Sequence, residues 1–278
     1  MHEAGLITKT LSDIVYTRKR RCANRHSTPY PPAMGCRMFS LLFVDGKAMA
    51  IQMEVFQSSV KQQLLTQYRY KIEMHAHTSP ASPCSQILPE EMVQIYSQLE
   101  YDAVVITNHF SADLFEGLSK EEAVSRYLKD FEKTNQAGQN SRLKVILGAE
   151  IRFTENMNDY LLYGADKTIL ETVYDYLCKG LNVFRHEVRL ERSVFLQAHP
   201  FRDGMELADI NLLDGIETLN LHPGHNSRVA FAARHAGENK AKITIAGSDF
   251  HHPGRRHEGV SAIRTKVLPE DSYALAAL

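Results

Sequence analysis

Residue types that bind divalent metal ions recur where short apolar runs end. His75 and His77 follow YRYKIEM, His109 follows AVVITN, Glu150 closes LKVILGAE, His199 follows SVFLQA, and Asp249 and His251 follow ITIAGS. Side chains two apart on an extended strand face the same side, so His75 with His77, and Asp249 with His251, can each reach one ion. Taken singly, each segment also reads as a surface histidine or a hydrogen-bonded turn. A carboxylate left unpaired at Glu150, after an apolar strand, would be costly and calls for a cation or a partner. Five such segments in chain order point to ligands converging at one rim of a barrel-like sheet. Mixed imidazole and carboxylate donors suit Zn²⁺, Mn²⁺ or Fe²⁺ better than Ca²⁺ or Mg²⁺. Seven candidate ligands exceed the four of a closed zinc site, so more than one ion is expected. Adjacent divalent ions can acidify a water and clamp a phosphoryl transition state, the chemistry of a metal-dependent hydrolase.

The elements that must position these residues alternate from about Tyr70 onward. YKIEM, AVVIT, LKVILG, YLLYG, VFLQA, GIETL and ITIAG read as strands. LPEEMVQIYSQLE reads as a helix opening on Pro89, with Met92, Val93, Tyr96 and Leu99 on its apolar face. SKEEAVSRYLKDFEKTNQAG opens on a capping box, Ser119 with Glu122, carries a stripe of Val124, Tyr127, Leu128 and Phe131, and has Gly138 as its stop signal. KTILETVYDYLCKG and NSRVAFAARHAG read as shorter helices ending near Gly180 and Gly237. Strands alternating with helices predict an α/β fold with a parallel barrel.

Residues 1–69 have a different character. TRKRRCANRH is basic, TPYPPAMG is turn-rich, and FSLLFVDGKAMAIQMEVF reads as two strands around a DG turn. They are read as an N-terminal extension of uncertain structure, or as a start assigned too far upstream, with the hydrolase domain at 70–278. The chain of 278 residues, 44% hydrophobic, is long enough for one large domain with an appendage. A formal net charge of -1 gives no global electrostatic case for nucleic acid or an anionic membrane. No apolar run approaches the roughly 18 residues of a membrane span. Cys22, Cys36, Cys84 and Cys178 lack C-x-x-C spacing, which together with the absence of a secretory apolar core predicts reduced thiols in a cytoplasmic protein.

In their order and spacing, HAHT, ITNHF, GAEIRF, AHPFR and GSDFHH resemble the successive motifs of the PHP (polymerase and histidinol phosphatase) superfamily, over roughly residues 70–267. The resemblance implies a distorted (β/α)7 TIM-like barrel and a phosphoesterase site with two or three metal ions. It implies His75, His77, His109, Glu150, His199, Asp249 and His251 as ligands. The sequence departs from the pattern in three places. Ser82, Pro83 and Cys84 stand where a further Asp or His is common; Cys84 reads either as a thiolate ligand or as a free structural cysteine. Asn108 replaces the Asp of TDH. NDYLLYG offers Asp159 where a further His is usual. Arg202, in HPFR, is the first candidate for holding a substrate phosphate through its planar fork, with Arg228 and Arg152 behind it. His222 and His225 read as pocket rim or solvated loop, and His186, His235 and His257 as surface residues. The function this predicts is hydrolysis of a small phosphate monoester, histidinol-phosphatase-like, by a metal-activated hydroxide. A phosphodiesterase or exonuclease on nucleotides or short oligonucleotides is the alternative enzyme. A degenerate barrel that binds metal or a phosphorylated ligand without turnover is the alternative binding module. The chain lacks Trp, and its basic residues cluster before residue 38, which argues against an extended nucleic-acid groove while leaving an oligonucleotide end open.

Overall fold

A computed structural model describes residues 58–254 and 261–278. The chain divides between Val60 and Lys61, and almost all described residues belong to the unit Lys61–Leu278. The strands expected in FSLLFVDGKAMAIQMEVF, the basic cluster TRKRRCANRH, Cys22, Cys36 and His257 lie outside the described residues. Residues 58–67 are helical.

The unit is a mixed α/β fold with two sheets. In chain order its elements are β1 (Tyr70–Ala76), α1 (Pro89–Gln98), β2 (Ala103–Ile106), β3 (His109–Ser111), α2 (Lys120–Gln139), β4 (Lys144–Leu147), β5 (Ala149–Arg152), β6 (Asp159–Tyr163), α3 (Lys167–Tyr174), α4 (Gly180–Glu187), β7 (Val194–Gln197), β8 (Gly215–Asn220), α5 (Val229–Glu238), β9 (Ile243–Gly247), β10 (Ile263–Thr265) and α6 (Ser272–Ala276). One sheet has the order β10-β1-β2-β4 and the other β3-β5-β6-β7-β8-β9. The runs 103–111 and 144–152 cross from one sheet to the other, broken at Thr107–Asn108 and at Gly148. Tyr127 of α2 pins both breaks, its hydroxyl lying 2.8 Å from Gly148 O and 3.1 Å from Asn108 O. An isolated parallel bridge joins Ala76, the last residue of β1, to Phe250, just past the end of β9.

Adjacent residues on the strands pack into different apolar clusters, as a period of two requires. Val105, Ile146, Leu161 and Leu196 join Ile72 and Ile245 in a cluster shared by both sheets. Their neighbours Val104 and Val145 face Met92 and Tyr96 of α1. Tyr160 and Phe195 join Phe110, Phe153 and Phe184 in the third and largest cluster. The helix signals behave as local chemistry dictates. Pro89 opens α1, the Ser119–Glu122 capping box opens α2, and Val124 and Tyr127 are buried while Leu128 and Phe131 are partly so.

Two expectations need correction. The strands are not all parallel: β6 runs antiparallel to β5 and β7, and β10 antiparallel to β1. Residues 153–158 are the whole link from β5 to β6, too short for a parallel crossover. Nor does KTILETVYDYLCKG form one helix ending at Gly180. α3 stops at Tyr174, and Gly180 opens α4 in the left-handed region, at φ 86°. A side chain at Gly180 would collide with Glu155, whose Oε1 accepts from Leu181 N at 2.9 Å and so caps the helix start.

Candidate metal centre

The fold brings His75, His77, His109, Glu150, Asp159, His199, Asp249 and His251 into one cluster. Four overlapping triplets can each hold an ion, with donor atoms within 4.8 Å of one another: His75–His77–Glu150, His75–His199–Asp249, Glu150–Asp159–His199 and His77–His109–His251. Glu150 is the hub. Its Oε1 lies 3.2 Å from His75 Nε2 and 3.0 Å from His199 Nε2, and its Oε2 lies 2.8 Å from His109 Nδ1 and 3.4 Å from His77 Nε2. Asp249 Oδ1 lies 3.5 Å from His75 Nε2 and 3.4 Å from His77 Nε2. Asp159 reaches this rim because β6 is reversed, so that its first residue lies beside the ends of its neighbours. Asp159 Oδ2 is 3.7 Å from His199 Nε2, and both its oxygens accept from Arg152 at 2.7 Å. Arg152 is therefore committed to an ion pair.

Hydrogen bonds around the cluster set the imidazole tautomers. His75 Nδ1 faces Glu217 Oε1 at 3.0 Å; a carboxylate only accepts, so Nδ1 carries a proton, and Nε2, which faces Glu150 and Asp249, is the atom left to bind an ion. His77 Nδ1 lies 3.0 Å from Ser82 Oγ, which donates its one proton to Asn108 Oδ1 and accepts from His109 N. Ser82 must then accept from His77 as well, which leaves His77 Nε2 bare. Asn108 is oriented in turn by Thr78 N, which donates to Oδ1 at 2.7 Å, and by Thr78 Oγ1, which accepts from Nδ2 at 2.9 Å. The Ser82 and Asn108 departures thus aim a first-motif histidine.

Backbone strain and tight packing concentrate here. His199 and Asp249 are left-handed, at φ 28° and 54°, a conformation that costs non-glycine residues about 1–3 kcal/mol. Gly247 lets β9 approach β1 closely: a Cβ there would lie 2.4 Å from His75 Cβ and 2.6 Å from Glu217 Oε1.

The charges are strongly coupled. Burial opposes the charge on His75, but Glu217, Asp249 and Glu150 raise it well above the usual imidazole range. Burial, His251 and His109 hold His77 well below that range. Although burial works against ionisation, His75 and His109 hold Glu150, and His75 and His251 hold Asp249, well below the usual carboxylate range. Burial and Glu150 push Asp159 upward against the pull of Arg152. Desolvation would raise the Cys84 thiol, but His109 and His251 draw it down to about 6.

The PHP domain profile matches residues 73–237, more than half of the chain. The chain belongs to the PHP domain family. Among solved structures it is similar to a protein of Bifidobacterium adolescentis assigned as a metal-dependent phosphoesterase, at 14% identity and a TM-score of 0.46, covering 69% of this chain and 91% of that one. It is similar to PsfC of Pseudomonas syringae at 18% identity and a TM-score of 0.46, covering 65% and 75%. A two-domain protein of Bacteroides vulgatus containing a predicted PHP-like metal-dependent phosphoesterase matches at 16% identity and a TM-score of 0.46, covering 66% of this chain and 52% of that one. No curated protein matches the sequence significantly. At these scores the family assignment rests on the sequence profile.

Around the PHP cluster, Arg202 Nη2 donates to Asp249 Oδ2 at 2.5 Å and to Asn220 Oδ1 at 3.0 Å. Arg228 is turned to Phe201 O, at 2.7 Å, and to Asp203, and makes no hydrogen bond to the cluster. His222 packs 5.1 Å from the His251 ring and 4.7 Å from that of His225. Burial lowers His222 to about 3. Sequence reasoning missed two buried acids. Glu217 orients His75 and accepts from His199 N at 3.0 Å. Glu73 accepts from His75 N and Ser248 N through Oε1, and from Tyr96 Oη and Ser248 Oγ through Oε2. The strand pattern carried no signal for either, since Lys71 in YKIEM and Thr218 in GIETLN make each run read as half-exposed.

Among the described residues no helix is long and apolar enough to cross a membrane.

Proposed function

We propose that this PHP domain is a metal-dependent phosphoesterase that hydrolyses a small, soluble phosphate monoester. The observation that carries the reading is a set of buried donor atoms without hydrogen-bond partners: His75 Nε2, His77 Nε2, His199 Nδ1 and Asp249 Oδ1. Polar atoms are not buried unpaired without cost, and all of these belong to residues able to hold a divalent ion. His75, His77, Glu150 and Asp249 would hold one ion; Glu150, Asp159 and His199 would hold a second. Such ions, when bound, acidify water and offset charge on phosphoryl oxygens. Arg202 is the proposed phosphate contact, because its buried Nε has no hydrogen-bond partner while Nη2 is fixed by Asp249 and Asn220. With its guanidinium turned to Phe201 and Asp203, Arg228 is assigned to shaping that loop. The isolated Ala76–Phe250 bridge, together with the two strand runs common to both sheets, supports reading the ladder as a distorted (β/α)7 barrel. Residues 70–278 are the proposed catalytic part, with 1–69 an extension.

A phosphate-release screen over metabolite monoesters, diesters and oligonucleotide ends, with Zn²⁺, Mn²⁺ and Fe²⁺ added in turn, tests the assignment. Turnover of monoesters that disappears on chelation is expected. Turnover of diesters alone would replace the monoesterase with a phosphodiesterase. Metal binding without turnover of any ester would leave a binding module.

A further inference from the structure

We propose that Cys84 is a thiolate ligand of a further metal ion, held with His109 and His251 at the mouth of the centre. The inference rests on the metal-centre reading above and extends it with a sulfur donor and a distinct ion preference. Cys84 Sγ lies 3.2 Å from His109 Nε2. The cysteine is solvent-exposed, but its loop is tied down on both sides of the site. The next residue, Ser85, donates from Oγ to His77 O at 2.8 Å, and Gln86 N donates to His251 O at 2.9 Å. Thus the backbone that carries the sulfur is fixed to the segments that carry two of the imidazoles.

The surrounding nitrogens form a site that a sulfur can complete. His77, His109 and His251 each offer a ring nitrogen within 4.8 Å of the others. Their rings pack closely, His77 lying 4.5 Å from His109 and 4.2 Å from His251 between centroids. His251 Nδ1 donates to Asp249 O at 2.9 Å, which leaves its Nε2 as the coordinating atom. With His77 Nε2 committed to the inner ion, His109 and His251 fall short of the four donors of a tetrahedral site, and Cys84 is the sulfur already in contact with one of them. Thiolate with imidazole selects Zn²⁺ or Fe²⁺ over the harder Mn²⁺ and Mg²⁺. The centre is therefore graded, with carboxylate-rich inner positions open to several ions and a thiolate-bearing outer position that rejects hard ones.

Cobalt(II) reports the difference, because thiolate coordination gives a near-ultraviolet charge-transfer band that nitrogen and oxygen ligands do not. The full chain, Cys84→Ser, Cys84→His and a Cys178→Ser control are titrated with Co²⁺, with bound equivalents measured by elemental analysis. The full chain and Cys178→Ser are expected to show the band, saturating with the last equivalent. Cys84→Ser should lack the band and bind one equivalent fewer, while Cys84→His should recover the equivalent without the band. Equal, non-zero cobalt in the full chain and Cys84→Ser, or a fully loaded full chain without the band, overturns the assignment of Cys84 and leaves the inner centre standing. No cobalt in any of the proteins overturns the metal centre and this proposal with it.

Discussion

Glu217→Gln removes one charge and adds one proton donor, at a position where every hydrogen bond can be followed. Glu217 is buried, with Oε1 3.0 Å from His75 Nδ1 and Oε2 accepting from His199 N and Asn220 Nδ2, each at 3.0 Å. A glutamine can keep its carbonyl on the two donors only by turning its NH₂ toward His75. Nδ1 must then become an acceptor, and the ring proton moves to Nε2, the atom that faces Glu150 and Asp249. A metal ion would have to displace that proton. The opposite orientation leaves two buried donors facing an NH₂ group, at about 1–3 kcal/mol each, so the tautomer shift is the smaller penalty. Losing a ligand-orienting partner of this kind costs about 10- to 100-fold in metal affinity. Competition with a chromophoric chelator measures zinc affinity for the full chain and the variant, with circular dichroism as the check on folding. Unchanged affinity together with unchanged thermal stability would refute the tautomer argument.

The same geometry gives three further outcomes. Gly247→Ala drives a methyl to 2.4 Å from His75 Cβ; overpacking of this kind costs about 1–3 kcal/mol, a fall of roughly 2–12 °C in Tm for a domain of this size, and thermal melts with metal analysis should show lower stability and lower metal content. Arg202→Lys keeps one nitrogen for Asp249 and Asn220, which share Nη2, but loses Nε, the unpartnered atom proposed to meet the phosphate; losing a charge-assisted bond of about 1.5–3 kcal/mol lowers kcat/KM roughly 10- to 150-fold, and unchanged kinetics would remove Arg202 from the site. Burial raises Glu73 from 4.5 to about 7 despite its hydrogen bonds to Ser248, His75 and Tyr96. The folded state then holds more protons than the unfolded state between those two values, so this group makes stability fall as pH rises from 4.5 to about 7. The Tm difference between the full chain and Glu73→Gln should therefore change across that window in favour of the variant at higher pH, and a difference independent of pH would contradict the shift.

The metal-binding residue types were legible because period-two spacing and strand ends are visible in sequence: His75 with His77, and Asp249 with His251, needed only the rule that alternate residues share a face. Asp159 was visible as a carboxylate in the right segment, but its approach depends on the reversal of β6, which the short 153–158 link signals only when its length is compared with a crossover. Glu73 and Glu217 were not legible, because an acid within YKIEM or GIETLN matches the polar face of a half-exposed strand. Only the packing of β1, β8 and β9 against one another buries both. Gly180 was misread because glycine marks the end of one helix and the start of another equally well; the deciding partner, Glu155, lies far away in sequence.

The most direct test of the central claim is anomalous diffraction from crystals of the full chain grown with zinc. Peaks are predicted among His75, His77, Glu150 and Asp249, and among Glu150, Asp159 and His199, with Glu150 common to both. A metal-loaded crystal whose anomalous peaks all lie away from Glu150 would contradict the account.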